Sequence, residues 1–148
     1  MTSKALKQND RLINLIKKHE GYRRFVYNDT VGVPTVGFGR NLKSVGISEI
    51  EAGWLLTGDI EQAYGDVSEN LDYFRKLDPV RSDVIINMAF NLGISRFLKF
   101  QRMHAAMRTK DYTRAAHEML DSTWATQVGR RATELSWMML YGRYKSES

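Results

Sequence analysis

Apolar residues recur at helical spacing over most of the chain, and they alternate with polar residues only in one short stretch near the N-terminus. A first helix is predicted at about residues 11–19, with Asn9 or Asp10 as N-cap and Gly21 as the residue that ends it. Between residues 25 and 38, β-branched and aromatic residues flank the turn Asn28-Asp29-Thr30. This pattern predicts a small sheet of at most about three short strands. Because Pro34 cannot donate a ladder hydrogen bond, its strand is predicted to lie at an edge or to be interrupted.

The pattern becomes helical from Ser48, which forms a capping-box pair with Glu51. Thr57-Gly58-Asp59 is expected to interrupt this helix, and a second helix is expected from about Asp59 toward Phe74. Its apolar stripe keeps helical spacing and consists of Ile60, Ala63, Tyr64, Val67 and Leu71. The polar remainder is compatible with a helix that bridges two lobes, and equally with a plain surface helix.

Asp78-Pro79 is the strongest helix start in the chain, since it combines an N-cap with a proline at the first helical position. The helix that follows has a wide apolar face and is predicted to end at Gly93 and to form the core of a larger lobe. Further helices are expected at about residues 97–108, 112–120 and 130–141. The Met and Trp residues of the last one are interpreted as packing rather than as a binding site.

The elements together predict an α+β, predominantly helical fold with a short antiparallel sheet in a small N-terminal lobe and an all-helical C-terminal lobe. With 148 residues, the chain is long enough for one domain of two lobes. The small lobe is placed at about residues 11–58, the bridging helix at 59–77 and the helical lobe at 78–144. The first helix is expected to pack on the helical lobe.

Composition adds a basic balance and several exclusions. The net charge of +5 favours polyanionic partners such as nucleic acid, anionic membranes or an acidic wall polymer. The absence of cysteine excludes disulfides, thiolate metal sites and cysteine nucleophiles. The N-terminal residues carry no apolar signal segment, and no apolar run approaches the roughly 18 residues of a membrane span. We therefore expect a protein made in a cytosol, without stable membrane insertion.

Glu20 is the last polar residue before the glycine that ends the first helix. The negative end of the helix dipole disfavours an anion there and favours the protonated form that a general acid needs. The neighbouring cations would act in the opposite direction if they face it. Glu20 is therefore either a candidate general acid or an ordinary surface glutamate.

Asp29 occupies a turn, where aspartate is common because its side chain bonds the backbone two residues on. The functional interpretation arises because Glu20 and Asp29 flank one short hairpin that could bring them to a shared cleft. Two carboxylates across a cleft are the arrangement that glycoside hydrolysis needs, one to protonate the leaving oxygen and one to serve a water or act as nucleophile.

These residues belong to a run that resembles the active-site segment of the phage-type lysozymes, the endolysins of tailed phages. The run is Glu20-Gly21-Tyr22-Arg23, Tyr27-Asn28-Asp29-Thr30, Gly32 and Thr35-Val36-Gly37-Phe38-Gly39. Further similarities include Gly46-Ile47-Ser48, Ile86-Asn87-Met88, Trp124 and Gly129-Arg130-Arg131-Ala132, so that the resemblance extends from about Leu12 to Tyr144. It implies a lysozyme-like fold.

The resemblance also implies the roles of individual residues. Glu20 would be the proton donor, Asp29 the second carboxylate and Thr35 the hydroxyl that helps to hold the attacking water. Such enzymes hydrolyse the β-1,4 bond between N-acetylmuramic acid and N-acetylglucosamine in peptidoglycan, with inversion. Phe90 matches a position that lines the saccharide cleft, and Arg131 matches an arginine that approaches the catalytic glutamate.

Arg40 stands where some relatives have a histidine after the Gly-x-Gly. In those relatives a histidine–carboxylate pair contributes to stability, so we expect Arg40 to form a different ion pair. The presence of Asp29 favours hydrolysis over the waterless cleavage of lytic transglycosylases, which need only a glutamate. The resemblance further implies a monomer that depends on a separate holin to leave the host cytoplasm, reach the wall and lyse the host cell.

Other interpretations remain open. A lytic transglycosylase acting on the same bond and a non-catalytic peptidoglycan-binding module are the alternatives. Nucleic-acid binding is not expected, because the basic doublets are scattered and no recognisable signature accompanies them. Gly37-Phe38-Gly39 lacks the third glycine of a nucleotide-binding loop, and His117-Glu118 lacks the further histidine of a zinc-protease helix. Neither a metal nor a cofactor is predicted.

Overall fold

The computed structural model describes residues 9–146, which form eight α-helices and one three-stranded antiparallel sheet. In chain order the elements are α1 (Asp10–Glu20), β1 (Arg23–Asn28), β2 (Pro34–Gly37), β3 (Arg40–Asn41), α2 (Glu49–Asn70), α3 (Pro79–Leu92), α4 (Ile94–Phe97), α5 (Gln101–Arg108), α6 (Tyr112–Leu120), α7 (Thr123–Val128) and α8 (Arg130–Tyr141). A short 3-10 helix, Phe74–Lys76, precedes α3. The predominantly helical α+β fold is confirmed.

The chain divides into two compact units, one that ends at Gly53 and one that begins at Trp54. We call them the sheet unit and the helical unit. The boundary falls within α2, so this helix contributes its first residues to the sheet unit and the rest to the helical unit. The lobe limits proposed from the sequence, and the packing of the first helix on the helical lobe, remain predictions.

The sheet unit begins with α1, which ends as predicted at Gly21. This glycine has a φ of 71°, and its N–H donates to Lys17 O at 2.9 Å. Asn9 is the N-cap residue, although its side chain makes no capping hydrogen bond. The strand order is β1-β2-β3, and both neighbouring pairs are antiparallel.

The position predicted for the Pro34 strand is wrong, because β2 is the central strand and pairs with both β1 and β3. Pro34 is its first residue and lies opposite Asn28. Proline is tolerated at the first position of a strand, where its carbonyl can still accept a hydrogen bond. That carbonyl accepts one from Leu42 N at 2.9 Å.

The predicted break at Thr57-Gly58-Asp59 is also wrong, since α2 runs without interruption for 22 residues. Gly58 lowers helix stability by only about 1 kcal/mol relative to alanine, and no proline accompanies it. The predicted capping box is confirmed, with Ser48 N donating to Glu51 Oε1 and Glu51 N donating to Ser48 Oγ, both at 3.1 Å.

The helical unit contains the apolar core and begins its main helix where the sequence predicts. Asp78 Oδ2 accepts the N–H of Arg81 at 3.1 Å, Pro79 is the first residue of α3, and Gly93 follows its last. The residues of α3 that are buried in the core are Val84, Ile85, Met88, Ala89 and Leu92. Of the predicted stripe on α2, Ala63, Val67 and Leu71 are buried, whereas Ile60 and Tyr64 are exposed.

The later helices agree with the prediction at residues 112–120 and 130–141, but differ between and before them. The single helix expected at 97–108 is divided into α4 and α5, and the short α7 has no counterpart in the prediction. Within residues 9–146, no helix is both long enough and apolar enough to cross a membrane. The prediction about a signal segment concerns residues 1–8, which lie outside the described residues.

Candidate active site

Glu20 is held at the end of α1 against the backbone of Gly39. A Cβ atom at position 39 would lie 2.6 Å from Glu20 Oε2 and 2.9 Å from its Cδ, so a side chain there would displace the carboxyl group from this position. Gly39 also has a φ of 77°, a left-handed value that side chains disfavour. Glu20 is exposed, and within residues 9–53 no side chain donates a hydrogen bond to its carboxyl group. It is therefore close to backbone on one side and accessible on the other.

Asp29 follows β1 directly and is fixed by the turn that it begins. Its Oδ1 accepts two backbone N–H groups, from Val31 at 2.9 Å and from Val33 at 2.8 Å. Its own N–H donates to Val33 O at 2.9 Å. The turn role expected of this residue is thus present, but it engages only one carboxylate oxygen. Within residues 9–53, Oδ2 receives no hydrogen bond and stays available to a ligand.

Thr35 is the only buried residue of the sheet unit among those described, with 5% of its surface exposed. It lies opposite Tyr27 in β1 and Asn41 in β3. Its hydroxyl donates to Val33 O at 2.8 Å. Because the single hydroxyl proton is used there, the lone pairs of Oγ1 can only accept, for example from a water molecule.

The three predicted catalytic residues are linked through one short run, residues 33–39. Val33 contacts both Asp29 and Thr35 at the start of this run. Gly39 contacts Glu20 at its end. Glu20 precedes β1 and Asp29 follows it, so the spacing of the two carboxylates is set by β1 and by the β2 strand that returns beside it.

Arg40 forms the ion pair that its replacement of histidine led us to expect. Its guanidinium contacts both carboxylate oxygens of Glu51, with one bond of 2.9 Å from Nη1 to Oε1, and Nη1 also donates to Gly46 O at 3.0 Å. The hydrogen bonds from Arg40, and then those from Ser48, lower the pKa of Glu51 to about 2. Arg40 is the first residue of β3 and directly follows Gly39. The pair therefore joins this strand to the first turn of α2.

Phe90 and Arg131 both lie in the helical unit and are brought together there. Arg131 donates from Nε and from Nη2 to Asn87 Oδ1, at 2.9 and 2.8 Å. Asn87 lies one turn before Phe90 on α3, and the Phe90 ring centroid is 6.0 Å from Arg131 Cζ. Phe90 is 40% exposed, as a substrate-contacting aromatic side chain must be in part.

A second asparagine on the same face of α3 holds an aromatic side chain. Asn91 Oδ1 accepts the indole N–H of Trp124 at 2.7 Å. Trp124 also lines a cavity of about 520 Å³ in the helical unit, together with aromatic, basic and acidic side chains that include Phe100, Arg102 and Glu118. The five predicted site residues do not line this cavity.

Two residues of the candidate site were not assigned a role from the sequence. Gly39 was part of a recognised Gly-x-Gly segment, but its closeness to Glu20 depends on the hairpin folding back across 19 positions. Asn87 was noted only as a similarity, and it lies 44 positions from Arg131. Its spacing of three residues from Phe90 was the available signal, because positions three apart share one helix face.

No metal centre is apparent in the part of the chain that the structure describes. Among residues 9–146, no group of three or more His, Asp or Glu side chains is arranged to hold an ion.

Comparison with known proteins identifies the family. The model of the family described as "Phage lysozyme" matches residues 17–137, which include Glu20, Asp29, Thr35, Phe90 and Arg131. The chain belongs to the phage lysozyme family. The match extends from α1 into α8 and covers most of the resemblance seen in the sequence, which was drawn from about Leu12 to Tyr144.

Individual relatives of this family member are distant. "Probable T4-type lysozyme 1" and "Probable T4-type lysozyme 2" of Dictyostelium discoideum are 26% and 25% identical to it, over 82% and 84% of this chain and 89% and 90% of theirs. The "Pre-baseplate central spike protein Gp5" of Enterobacteria phage T4 is 26% identical over 93% of this chain. The chain spans only 29% of the length of that spike protein.

Proposed function

We propose that the protein is a lysozyme that hydrolyses the β-1,4 bond between N-acetylmuramic acid and N-acetylglucosamine in peptidoglycan. The observation that carries the proposal is the geometry of Asp29, whose Oδ1 accepts two backbone amides while Oδ2 stays available within the described residues of the sheet unit. A carboxylate fixed in this way can accept a proton from water without moving. Membership of the phage lysozyme family supports the same chemistry.

Glu20 acts as the general acid and protonates the glycosidic oxygen. Its carboxyl group is accessible and is confined by Gly39 on one side, which limits the positions that the acid can take. A positioned general acid contributes about 10²- to 10⁴-fold to the rate. The bond between the anomeric carbon and the glycosidic oxygen then breaks as the oxygen receives the proton of Glu20.

The attacking water donates one hydrogen bond to Asp29 Oδ2 and one to Thr35 Oγ1. Thr35 can accept in this way because its own proton is given to Val33 O. The water oxygen attacks the anomeric carbon from the face opposite the leaving group, which inverts its configuration. Asp29 takes up the proton of the water as the new bond forms. An inverting pair of carboxyl groups is separated by about 6.5–9.5 Å, which leaves room for that water.

Phe90 and Arg131 contribute to substrate binding in the helical unit. An aromatic ring that is partly exposed offers an apolar face to a sugar, and Arg131 offers a cation to an acidic substrate. The net charge of +5 favours encounter with an anionic wall through long-range attraction, which salt screens. In its biological role the protein is an endolysin that acts as a monomer and reaches the wall from the host cytoplasm through a separate holin, causing host lysis.

The test is mass spectrometry of the fragments that the protein releases from purified peptidoglycan. The wild type should release fragments that end in reducing N-acetylmuramic acid, and proton NMR of early products should show the inverted anomer. Glu20→Gln and Asp29→Asn should abolish release. Asparagine retains an oxygen that can accept the amides of Val31 and Val33, so the turn should survive. Glu49→Gln makes the same change at an exposed position of the same unit and should retain activity.

Each alternative gives a different result in this experiment. Anhydro-muramic ends, one water lighter, would identify a lytic transglycosylase and would remove the water-holding role from Asp29 and Thr35. Binding to the wall without any released fragment would identify a non-catalytic peptidoglycan-binding module.

A further inference from the structure

Three side chains at the C-terminal end of α8 form a cluster that the proposed reaction does not use. The rings of Trp137 and Tyr141 lie one helical turn apart, with their centroids separated by 4.8 Å and their planes at 49°. The guanidinium of Arg143 lies over both rings, with Cζ 5.3 Å from the centroid of Trp137 and 6.0 Å from that of Tyr141. We call these three residues the aromatic cluster.

The aromatic cluster is accessible to a partner. Tyr141 is 54% exposed, Arg143 is exposed and Trp137 is half-buried. The neighbouring Met138 and Met139 are buried, so the packing role expected for the apolar residues of α8 applies to them fully and to Trp137 only in part. Tryptophan, tyrosine and arginine are the side chains that are enriched where proteins bind their partners.

The polar atoms of the aromatic cluster are not used within the helical unit. Within residues 54–146, no hydrogen bond or ion pair engages the Trp137 indole N–H, the Tyr141 hydroxyl or the Arg143 guanidinium. Among the described residues, Ser68 Oγ is the only side-chain N or O atom that is both buried and unpaired, so the indole nitrogen of Trp137 reaches solvent. A ligand on the rings would therefore find hydrogen-bonding groups beside them.

Arg143 is held in place by anchors on both sides of it in the chain. Arg81 donates to two backbone carbonyls in the last turn of α8, at 2.7 and 3.1 Å. Gly142 then turns the chain with a φ of 67°, and a Cβ atom there would lie 2.7 Å from Arg81 Nη1. On the other side, Tyr144 donates its hydroxyl to Asp83. Because Asp83 is paired with this tyrosine, the charge of Arg143 remains available to a ligand.

The aromatic cluster is separate from the site residues predicted in the helical unit. Trp137 follows Arg131 by six positions on α8, which places the two side chains about 120° apart around the helix axis. Arg131 is directed toward Asn87 of α3. A ligand bound to the aromatic cluster would therefore leave the position of Arg131 unoccupied.

We propose that the aromatic cluster is an accessory binding site for the glycan strands of peptidoglycan. The inference rests on the proposed function, which makes this polymer the substrate. A pyranose ring presents an apolar face of C–H bonds to an aromatic ring, while its hydroxyl and acetamido groups pair with the indole N–H and the phenol. The charge of Arg143 complements the carboxylates that the wall carries on its peptides. A second site on the same polymer raises the effective concentration of substrate at the first.

The test is cosedimentation with purified peptidoglycan, using Glu20→Gln as the background so that the wall stays intact. Tyr141→Ala and Arg143→Gln should each weaken binding about tenfold, which is the loss expected at an important interface residue. With Glu20 restored, both substitutions should raise KM on intact walls and leave kcat unchanged. A purely structural role would instead lower the urea midpoint and kcat together.

Matched controls exist for both substitutions in the same unit. Tyr64 is 53% exposed, and Arg114 is an exposed arginine of α6. Tyr64→Ala and Arg114→Gln should bind the wall as tightly as the background variant. The indole N–H of Trp137 gives a direct signal, because its NMR resonance should shift when a soluble N-acetylglucosamine oligosaccharide is added. Tyr141→Ala should reduce that shift.

Three results would overturn the inference. The first is wall binding by Tyr141→Ala that equals that of the background variant. The second is an equal loss in Tyr64→Ala, which would show that any exposed ring contributes. The third is weaker binding of Arg143→Gln to anionic phospholipid vesicles with unchanged binding to the wall, which would assign the cluster to a lipid surface. If the wild type releases no fragments, the proposed function fails, whereas cosedimentation still measures the accessory site.

Discussion

The sheet unit and the helical unit are built on different physical principles. Every hydrophobic residue that is buried within residues 9–146 lies between Ala63 and Met139, in the helical unit. Among residues 9–53 of the sheet unit, Thr35 alone is buried, and Phe25 is 76% exposed. The sheet unit is ordered instead by hydrogen bonds, glycine conformations and the Arg40–Glu51 ion pair.

The difference separates the residues that provide stability from those that provide chemistry. Glu20, Asp29 and Thr35 are all in the unit without an apolar core. Their positions depend on a small number of directional contacts, each of which a single substitution can remove. In the helical unit many side chains share the packing, so the site residues Phe90 and Arg131 are attached to a scaffold that other residues maintain.

The largest effect on stability should come from the core of the helical unit. Phe97 is fully buried, and Phe97→Ala should lower the free energy of unfolding by about 3–5 kcal/mol through lost burial and the cavity that remains. Phe25→Ala, the same change in the sheet unit, should alter it by less than about 0.5 kcal/mol. Urea unfolding followed by circular dichroism measures both. Equal losses would contradict the comparison, because they would show that Phe25 is packed as well as Phe97.

A smaller effect on the free energy of unfolding, accompanied by a loss of activity, should follow from Gly39→Ala. The new Cβ would displace the Glu20 carboxyl group, and misplacement of a catalytic group by about 1 Å can reduce the rate 10²-fold. Gly37→Ala is the matched control, since Gly37 has a similar φ of 68° and a Cβ there would meet nothing within 4 Å.

Both glycine variants should lose about 1–2 kcal/mol of stability from the left-handed conformation, but only Gly39→Ala should lose turnover. Release of reducing ends from peptidoglycan, compared with urea midpoints, separates the two effects. If Gly37→Ala reduced turnover as strongly, backbone strain rather than contact with Glu20 would be the cause.

Acid should weaken the two units at different pH values. Burial lowers the pKa of His104, whose Nε2 donates to Phe97 O and whose Nδ1 accepts the Tyr73 hydroxyl. The unfolded chain binds this proton more readily, so the helical unit should lose stability as pH falls below about 6.5. The free energy of unfolding can then fall by up to about 1.4 kcal/mol per pH unit.

Glu51 has the same direction of linkage, but it acts over a lower range of pH. Its pKa of about 2 in the folded state is below its ordinary value, so its contribution is complete at neutral pH and is lost as pH falls from about 4.5 to about 2. Urea midpoints between pH 7 and pH 5 should therefore decline in the wild type and in Glu51→Gln, but much less in His104→Gln. If the urea midpoint of His104→Gln declined between pH 7 and pH 5 as much as that of the wild type, another titratable group would be responsible for the decline.

Local signals in the sequence predicted where helices begin and end better than they predicted which elements lie next to one another in the fold. Gly21, the Ser48–Glu51 box and Asp78-Pro79 each act within a few residues, and each was confirmed. Gly58 failed as a stop signal because tertiary packing of Ala63 and Val67 on the same helix outweighs a local propensity of about 1 kcal/mol. Pro34 failed because a strand start tolerates it whatever the position of the strand in the sheet.

The proposed catalytic residues could be selected from the sequence because their motif is short and continuous. Glu20, Asp29 and Thr35 lie within 16 positions of one another, so the resemblance could be recognised in one segment. Asn87 could not be assigned in this way, since its role exists only through Arg131 on a distant helix.

Residues 33–39 leave little tolerance for a change in chain length, because they contact Asp29 at one end and Glu20 at the other. One residue inserted within β2 would reverse the pleat, so that every later side chain faces the opposite side of the sheet. Two inserted residues would return the later side chains to their original side of the sheet, but they would lengthen the strand by about 6.6 Å. The range of carboxyl separations that suits an inverting glycosidase is only about 3 Å wide. Insertions and deletions compatible with catalysis should therefore fall in loops outside this segment. Proteins that retain this reaction should not differ in the length of β2 by an odd number of residues.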